Sequence, residues 1–124
     1  MNNRSVALRI PTGGPETRHL EHRVAGADAN PYLAIAAVLA GMHKGIREQL
    51  DPGPAITGNG YAQAAADLPN DWAAALRLLK DSPLLKEYFG ERFLAIFHAI
   101  KAAECRRFMS QVTELDFEWY LTRA

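Results

Sequence analysis

The chain lacks several features that would assign it to a common functional class. Cys105 is the single cysteine in 124 residues, which excludes an internal disulfide and a cysteine-based metal cluster. The 14 Lys and Arg residues are matched by 14 Asp and Glu residues, and this balance argues against nucleic acid or an anionic membrane surface as a partner. No apolar run approaches the roughly 20 residues that span a bilayer, and the first residues do not resemble a signal peptide. We therefore expect a cytoplasmic protein.

The first part of the sequence has the period-two pattern of β-strands. Residues 5–10 place apolar side chains at every second position, and residues 19–24 alternate again with Leu20, His22 and Val24 on one face, which is typical of half-buried strands. Between them, Thr12-Gly13-Gly14-Pro15 predicts a turn, because Gly tolerates positive φ and Pro fixes its own. The sequence therefore predicts two neighbouring strands near the start of the chain.

Everything after the second strand has helical spacing. Asn30 and Pro31 are a favourable N-cap and first residue for a helix predicted to run to residue 50. Its scarcity of charges before His43 predicts deep burial. Residues 51–60 contain two Pro and three Gly and are predicted to be a loop, whereas residues 61–70 are ambiguous. Further helices are predicted over residues 71–80, from the Ser82-Pro83 cap to near Gly90, over residues 91–112, and from the Thr113–Asp116 capping box to Arg123.

The predicted fold class is α+β and mainly helical. An isolated pair of strands is marginally stable in water. We therefore expect residues 1–25 to contribute two strands to a larger sheet whose other strands lie upstream, and residues 26–124 to form the helical part. The apolar faces of the two long helices are expected to pack against each other.

The strand segments also carry the candidate functional residues. Period-two geometry places His19, Glu21 and Arg23 on one face of the second strand, while the first strand offers Arg9, with Arg4 just before it. A carboxylate among cations suits metal–nucleotide and phosphoryl chemistry, with the carboxylate on a divalent cation and arginine forks on phosphate or carboxylate. The alternative is a solvated strand face with cross-strand ion pairs, and spacing alone favours it.

Four motifs in order resemble the C-terminal part of the glutamine synthetase catalytic domain. They are Asn3-Arg4-Ser5, Arg9-Ile10-Pro11, His19-Leu20-Glu21-His22-Arg23 and Asp28-Ala29-Asn30-Pro31-Tyr32-Leu33. Their order and approximate spacing match the family over residues 2–46, and a weaker likeness continues to residues 117–121. Four motifs in order are far more specific than any one alone. The resemblance therefore favours the functional interpretation of the strand face.

The resemblance also implies roles for individual residues. In that family the matching residues line a site where ATP and glutamate meet. Glu21 matches the carboxylate on the metal ion nearer ATP, and Arg9 matches an arginine on the ATP phosphates. Arg4 and Arg23 match arginines that contact glutamate and the developing γ-glutamyl phosphate.

One position departs from the family pattern. The family's Arg-x-Glu-x-Arg strand begins with arginine, whereas this chain has His19 there, with Arg18 beside it. These two residues are the candidates for the corresponding phosphate contact.

The activity that the resemblance implies is ATP-dependent ligation. With Mg²⁺ or Mn²⁺, glutamate would be activated as an acyl phosphate and joined to ammonia or a small amine such as putrescine, within a homo-oligomeric ring. The loop at 51–60 and the tail are more similar to the γ-glutamylpolyamine (γ-glutamylputrescine) synthetase branch. The alternative is a free-standing helical interaction domain of ligase ancestry without catalysis. A nucleic-acid binder is disfavoured by the zero net charge.

We predict that the 124-residue chain alone has no ligase activity. Two-metal phosphoryl transfer needs several carboxylates, and the sequence places only Glu21 suitably. The measurement is phosphate release from ATP in the presence of glutamate and either ammonia or putrescine. Turnover by pure protein above a protein-free control would contradict the prediction.

Overall fold

A computed structural model describes residues 3–63 and 68–121, and it confirms an α+β, mainly helical fold. The chain separates into two compact units, Met1–Leu68 and Pro69–Ala124. The first unit contains strands β1 and β2, a 3-10 turn between them, helix α1 and a second 3-10 turn. The second contains helices α2 to α5. In chain order, the elements of both units are β1 Leu8–Arg9, the turn Pro15–Thr17, β2 Glu21–His22, α1 Pro31–Arg47, the turn Gly60–Ala62, α2 Trp72–Asp81, α3 Pro83–Phe89, α4 Glu91–Met109 and α5 Glu114–Tyr120.

The two strands form an antiparallel pair, as the alternation predicted, but a shorter one. Arg9 lies opposite Glu21, and Leu8 lies opposite His22. One further backbone bond, from the Arg23 N–H to the Ala7 carbonyl at 2.9 Å, continues the pairing. The predicted strands at 5–10 and 19–24 were therefore too long. Within the described residues the sheet has two strands, so neither outer edge has a partner that would extend the regular pairing.

Local hydrogen bonds set both ends of α1. The Asn30 side-chain oxygen accepts from the backbone N–H of Tyr32 (3.0 Å) and of Leu33 (3.2 Å), which confirms the predicted N-cap. The helix ends at Arg47, three residues before the predicted end. Gln49 takes a positive φ of 50°, and the Leu50 N–H bonds to the Gly45 carbonyl at 3.0 Å. This Schellman-type arrangement stops the helix in a way that apolar periodicity does not reveal.

The predicted deep burial of α1 is wrong for the described structure. Ala40 is the one residue of this helix classed as buried. An apolar stripe at i, i+3 and i+7 spacing is exposed, to 83% at Tyr32 and 75% at Ile46. The stripe consists of Tyr32, Ile35, Leu39, Met42 and Ile46. The predicted packing of α1 against α4 stays a prediction, because the two helices belong to different compact units, each of which is described by itself. Apolar composition indicates that a face favours burial, but it does not supply the covering surface.

The second unit is organised around α4, which packs against α2 and α3. Leu94 and Cys105 are its buried residues, so the cysteine acts as a small core hydrophobe. Trp72 of α2 meets Phe108 with ring centroids 6.0 Å apart. Phe93 stacks with Phe89 and Phe97, with ring centroids 5.7 and 5.9 Å apart, so aromatic contacts also join α3 to α4 within this unit.

Capping side chains fix the starts of α2, α3 and α5. Asp71 accepts from the Ala74 N–H at 2.6 Å, and Ser82 accepts from the Leu85 N–H at 3.2 Å. The Asp116 carboxylate accepts from the Thr113 N–H at 2.7 Å, as predicted for α5. Helix α4 ends at Met109 rather than residue 112, and the predicted end at Arg123 lies outside the described residues. No helix in the described ranges combines the length and apolar character needed to cross a bilayer.

A loop returns from α1 to the start of the chain and is fastened there. The Gly60 N–H donates to the Ser5 hydroxyl oxygen at 2.7 Å, and the Asn3 side-chain amide donates to the Gly58 carbonyl at 2.9 Å. The Ser5 hydroxyl in turn donates to the Asn3 side-chain oxygen at 2.7 Å. We call these four residues, Asn3, Ser5, Gly58 and Gly60, the clasp. It joins segments 55 residues apart.

The clasp requires glycine at position 60. This residue is buried, and a Cβ placed on it would lie 2.4 Å from the Ser5 carbonyl oxygen. Gly60→Ala should therefore separate the two segments and lower the free energy of unfolding by about 1–3 kcal/mol, as overpacking typically does. Chemical denaturation with circular dichroism measures the change.

Gly41→Ala is the matched control, because the added methyl group would lie in open space. A Cβ at Gly41, inside α1, would meet nothing within 4 Å. Gly41→Ala should raise the free energy of unfolding by about 0.5–1 kcal/mol, because alanine loses less backbone entropy on forming a helix. Equal effects of the two substitutions would show that the close approach at Gly60 is unimportant.

Candidate active site

The candidate site centres on a cross-strand ion pair. Because Arg9 and Glu21 are opposite one another, their side chains leave the strands on the same face, and Arg9 Nη2 donates to Glu21 Oε1. Both side chains are partly buried, with 25% and 29% of their surfaces exposed. The structure therefore brings together the predicted phosphate-contacting arginine and the predicted metal-binding carboxylate.

His19 completes this cluster. Its Nε2 lies 3.6 Å from the same Glu21 oxygen, Oε1. Its Nδ1 lies 2.7 Å from the Thr17 carbonyl oxygen, and since a carbonyl only accepts, Nδ1 carries the hydrogen. The ring is thus oriented from the turn Pro15–Thr17, with the other nitrogen facing the carboxylate. The predicted shared face of His19 and Glu21 is confirmed by this contact.

The contact with Arg9 keeps the Glu21 carboxyl group ionised. The hydrogen bond from Arg9 is the largest influence and lowers the pKa of the Glu21 carboxyl below its usual value. Partial burial opposes this effect, while His19 adds to the lowering. Glu21 is therefore a carboxylate at neutral pH, which is the form that binds a metal ion.

Arg9 retains donor capacity beyond the ion pair. Its Nε is buried and has no hydrogen-bond partner in the described part of the chain. Buried donors are nearly always paired in folded proteins. A phosphate oxygen beside Arg9 would satisfy this donor, so the observed geometry fits the predicted contact with a nucleotide phosphate.

The two arginines assigned to glutamate lie at the end of the strand pair beside the clasp. Arg23 Nη1 donates to the Asn3 carbonyl oxygen at 2.8 Å, and Arg4 follows Asn3 directly. Both arginine residues are exposed. Arg18 is also exposed, immediately after the turn Pro15–Thr17. The structure thus places Arg4 and Arg23 next to each other in the fold, and Arg18 at the opposite end of β2.

The described residues fit one ligand of a metal site rather than a whole site. No three His, Cys, Asp or Glu side chains converge within residues 3–63 and 68–121. A lone carboxylate such as Glu21 suits Mg²⁺ or Mn²⁺, because these hard cations prefer oxygen ligands. The contacts from Arg9 and His19 both fall on its Oε1, which leaves Oε2 without an ion-pair partner among the described residues.

Sequence reasoning missed the clasp. In the sequence, Asn3 and Ser5 flank Arg4 in one motif, and Gly58 and Gly60 lie in the predicted loop. The small residues at 58 and 60 were the available signal, because glycine permits close backbone approach. Nothing in the local pattern indicated which distant segment they would approach.

The lowered pKa of Glu21 predicts a pH-dependent contribution to stability. A carboxyl group whose pKa is lower in the folded than in the unfolded state stabilises the fold above the unfolded-state pKa. That contribution should disappear as the pH falls through the folded-state pKa. Glu21→Gln should therefore destabilise the chain at neutral pH and match the parent in acid.

The measurement is denaturant unfolding of both proteins across that pH range. As a control, the effect of Glu21→Gln should shrink when Arg9 has already been replaced by Gln, since Arg9 is the largest cause of the shift. A difference in stability that is the same at every pH would contradict the assigned ion pair.

Comparison with known proteins identifies the family to which this arrangement belongs. The family model "Glutamine synthetase, catalytic domain" matches residues 1–120. Gamma-glutamylputrescine synthetase PuuA of Escherichia coli is 42% identical over 99% of this chain and 26% of that protein. Type-1 glutamine synthetase 2 of Dictyostelium discoideum is 40% identical over 98% of this chain and 24% of that protein.

A solved structure agrees with the sequence comparison. The structure titled "Apo GmaS without ligand" superposes with a TM-score of 0.80 at 36% identity, covering 98% of this chain and 28% of that one. The chain thus spans about a quarter of the length of these relatives. The family model and the structural likeness cover nearly the whole chain, and the chain belongs to the glutamine synthetase family.

Proposed function

We propose that this chain supplies one wall of the active site of an ATP-dependent ligase that joins glutamate to ammonia or a small amine. The observation that carries the proposal is the Arg9–Glu21 ion pair with His19 beside it, in which a carboxylate is held against a guanidinium group. The family membership supports the reaction class. In this reaction a glutamate carboxylate oxygen bonds to the γ-phosphorus of ATP, and the bond to ADP breaks.

The second half of the reaction releases phosphate. The amine nitrogen attacks the acyl carbon of γ-glutamyl phosphate, the carbon–oxygen bond to phosphate breaks, and the nitrogen loses a proton. Charge on the phosphoryl oxygens must be neutralised in both halves. Arg9 would donate to phosphate oxygens, and Arg18 and His19, which precede β2, would make a further contact. Arg4 and Arg23 would hold the glutamate side and its acyl phosphate.

A divalent cation held in part by Glu21 would supply further charge neutralisation on the phosphates. Glu21 suits this role because its lowered pKa keeps it charged at the pH of the reaction. The remaining ligands of this cation would come from outside the described residues. Within those residues, no group of three His, Cys, Asp or Glu side chains could hold a metal ion. We therefore propose Mg²⁺ or Mn²⁺ as a cofactor of the whole ligase.

A small amine such as putrescine is our proposed nucleophile in preference to ammonia. The 42% identity to a γ-glutamylputrescine synthetase supports this choice. A homo-oligomeric ring in the cytoplasm is the assembly and location that we propose for the whole protein. The exposed apolar stripe on α1 supports burial of this segment within something larger.

The same stripe supports a second candidate function, a helical interaction domain without catalysis. Five apolar side chains along one face of α1 are a surface on which another helix could pack. The two candidates differ in what they require of the strand pair. Catalysis depends on Arg9, Glu21 and Arg23, whereas an interaction domain depends on α1.

A chimeric enzyme separates the candidates. The matched quarter of the E. coli γ-glutamylputrescine synthetase would be replaced by residues 1–124, and phosphate release from ATP would be measured with glutamate and either putrescine or ammonia. We expect an active chimera that prefers putrescine, and an inactive enzyme when the segment is deleted. A chimera that folds and assembles like the parent but has no activity would favour the interaction domain.

In the active chimera, Glu21→Gln should lower kcat by about 100-fold or more, because it removes a charged metal ligand while keeping the shape. Arg23→Lys should also lower activity, because lysine lacks the bidentate fork. Arg77→Lys, at an exposed position on α2, is the matched control and should leave kcat unchanged. Steady-state kinetics with circular dichroism on each variant makes the measurement, and near-normal activity in either site variant would remove that residue from the site.

A further inference from the structure

The clasp is a hydrogen-bond relay that runs towards the arginines. The Gly60 N–H donates to the Ser5 hydroxyl, and that hydroxyl donates to the Asn3 side-chain oxygen. The same Asn3 oxygen accepts from the Ser5 backbone N–H at 3.0 Å. Residues 3 and 5 are therefore held to each other and to the loop, and Arg4 is the residue between them.

The relay continues into the second strand through Asn3. Its carbonyl oxygen accepts the 2.8 Å bond from Arg23 Nη1, so one residue of the clasp also contacts a guanidinium group directly. Arg4 and Arg23 are on different segments of the chain. Asn3 connects them, because it precedes Arg4 in sequence and binds Arg23 in space.

The clasp is also a rigid contact rather than a loose one. Gly60 is buried, and its backbone approaches the Ser5 carbonyl so closely that a methyl group would collide with it. Close packing of this kind leaves few positions open to the backbone of residues 3–5. The exposed side chains of Arg4 and Arg23 therefore extend from a fixed base, which lowers the entropy lost when they bind an anion.

We propose that Ser5 and Asn3 are positioning residues, which set Arg4 and Arg23 at the distance needed to bind the glutamate carboxylate and its acyl phosphate. This proposal rests on the proposed ligase function. Neither residue touches substrate, and they act through the backbone that carries one arginine and the carbonyl that holds the other. Small displacements of substrate-binding groups cost up to about 100-fold in rate, so loss of the clasp should be visible in kinetics.

The test is Ser5→Ala in the chimeric enzyme. The loss of the hydroxyl breaks the relay at its centre, and kcat/KM for glutamate should fall about 10- to 100-fold, while the KM for ATP stays unchanged. Ser5→Thr keeps a hydroxyl group and should restore most of the activity. Asp51→Ala is the matched control, because it removes the 2.9 Å bond from the Gly53 N–H in the same loop and is not part of the clasp.

A second variant guards against a folding defect in the first. Asn3→Ala removes the acceptor for Ser5 and the donor to Gly58 but keeps the carbonyl that Arg23 contacts. It should reproduce the glutamate defect. Loss of clasp bonds should lower the unfolding temperature of Ser5→Ala and Asn3→Ala, but at the assay temperature the circular dichroism and subunit assembly of every variant should match those of the unsubstituted chimera.

The outcomes separate this proposal from the one on which it rests. An inactive unsubstituted chimera overturns the ligase function and the positioning role together. An active chimera overturns the positioning role alone if Ser5→Ala keeps its kcat/KM for glutamate, if Ser5→Thr loses as much as Ser5→Ala, or if the constants for ATP and glutamate change equally. A selective glutamate defect with rescue by threonine supports it.

Discussion

The hydrogen bond from the Gly60 N–H to the Ser5 hydroxyl oxygen fastens the loop after α1 to the start of the chain within the first compact unit. It joins segments 55 residues apart, and it closes the path that runs from the strands through α1 and back along the loop. Closing so long a path costs entropy, which local bonds alone do not offset. The Ser5–Asn3 bond and the bond from Asn3 to Gly58 make the closure cooperative. Glycine at position 60 permits this approach because any side chain would collide with the Ser5 carbonyl.

The electrostatics of the strand pair depend on its register. Arg9 and Glu21 meet through strand register, and His19 is turned towards them by the Thr17 carbonyl. Such contacts also occur between ordinary strands at a protein surface. The cross-strand ion pair expected of a solvated strand face is therefore present in the structure. A partly buried carboxylate with a lowered pKa and a neighbouring arginine with an unpaired buried donor go beyond it. Perturbed groups in such an arrangement favour a functional site over a solvated face.

Helix α1 shows where composition misleads. Its apolar residues indicated a core helix, and its N-cap and first turn formed as predicted. The described residues leave its apolar stripe exposed, and α4 takes its packing partners from within the second unit. Hydrophobic pattern is a property of one segment, whereas burial needs two surfaces. The chain spans about a quarter of the length of each of these relatives.

The sequence by itself determined the elements whose causes are local. Asn30 and Asp116 could be recognised as caps because a side chain bonds to the backbone two or three residues away, and period-two spacing was sufficient to place Glu21 and His19 on one face. Four ordered motifs also identified the family. Only the tertiary structure decided the strand ends, the register that puts Arg9 opposite Glu21, the exposure of α1 and the clasp that joins Asn3 and Ser5 to the distant glycines. These features depend on contacts between segments far apart in the chain, and the spacing of residues within one segment does not specify its partner.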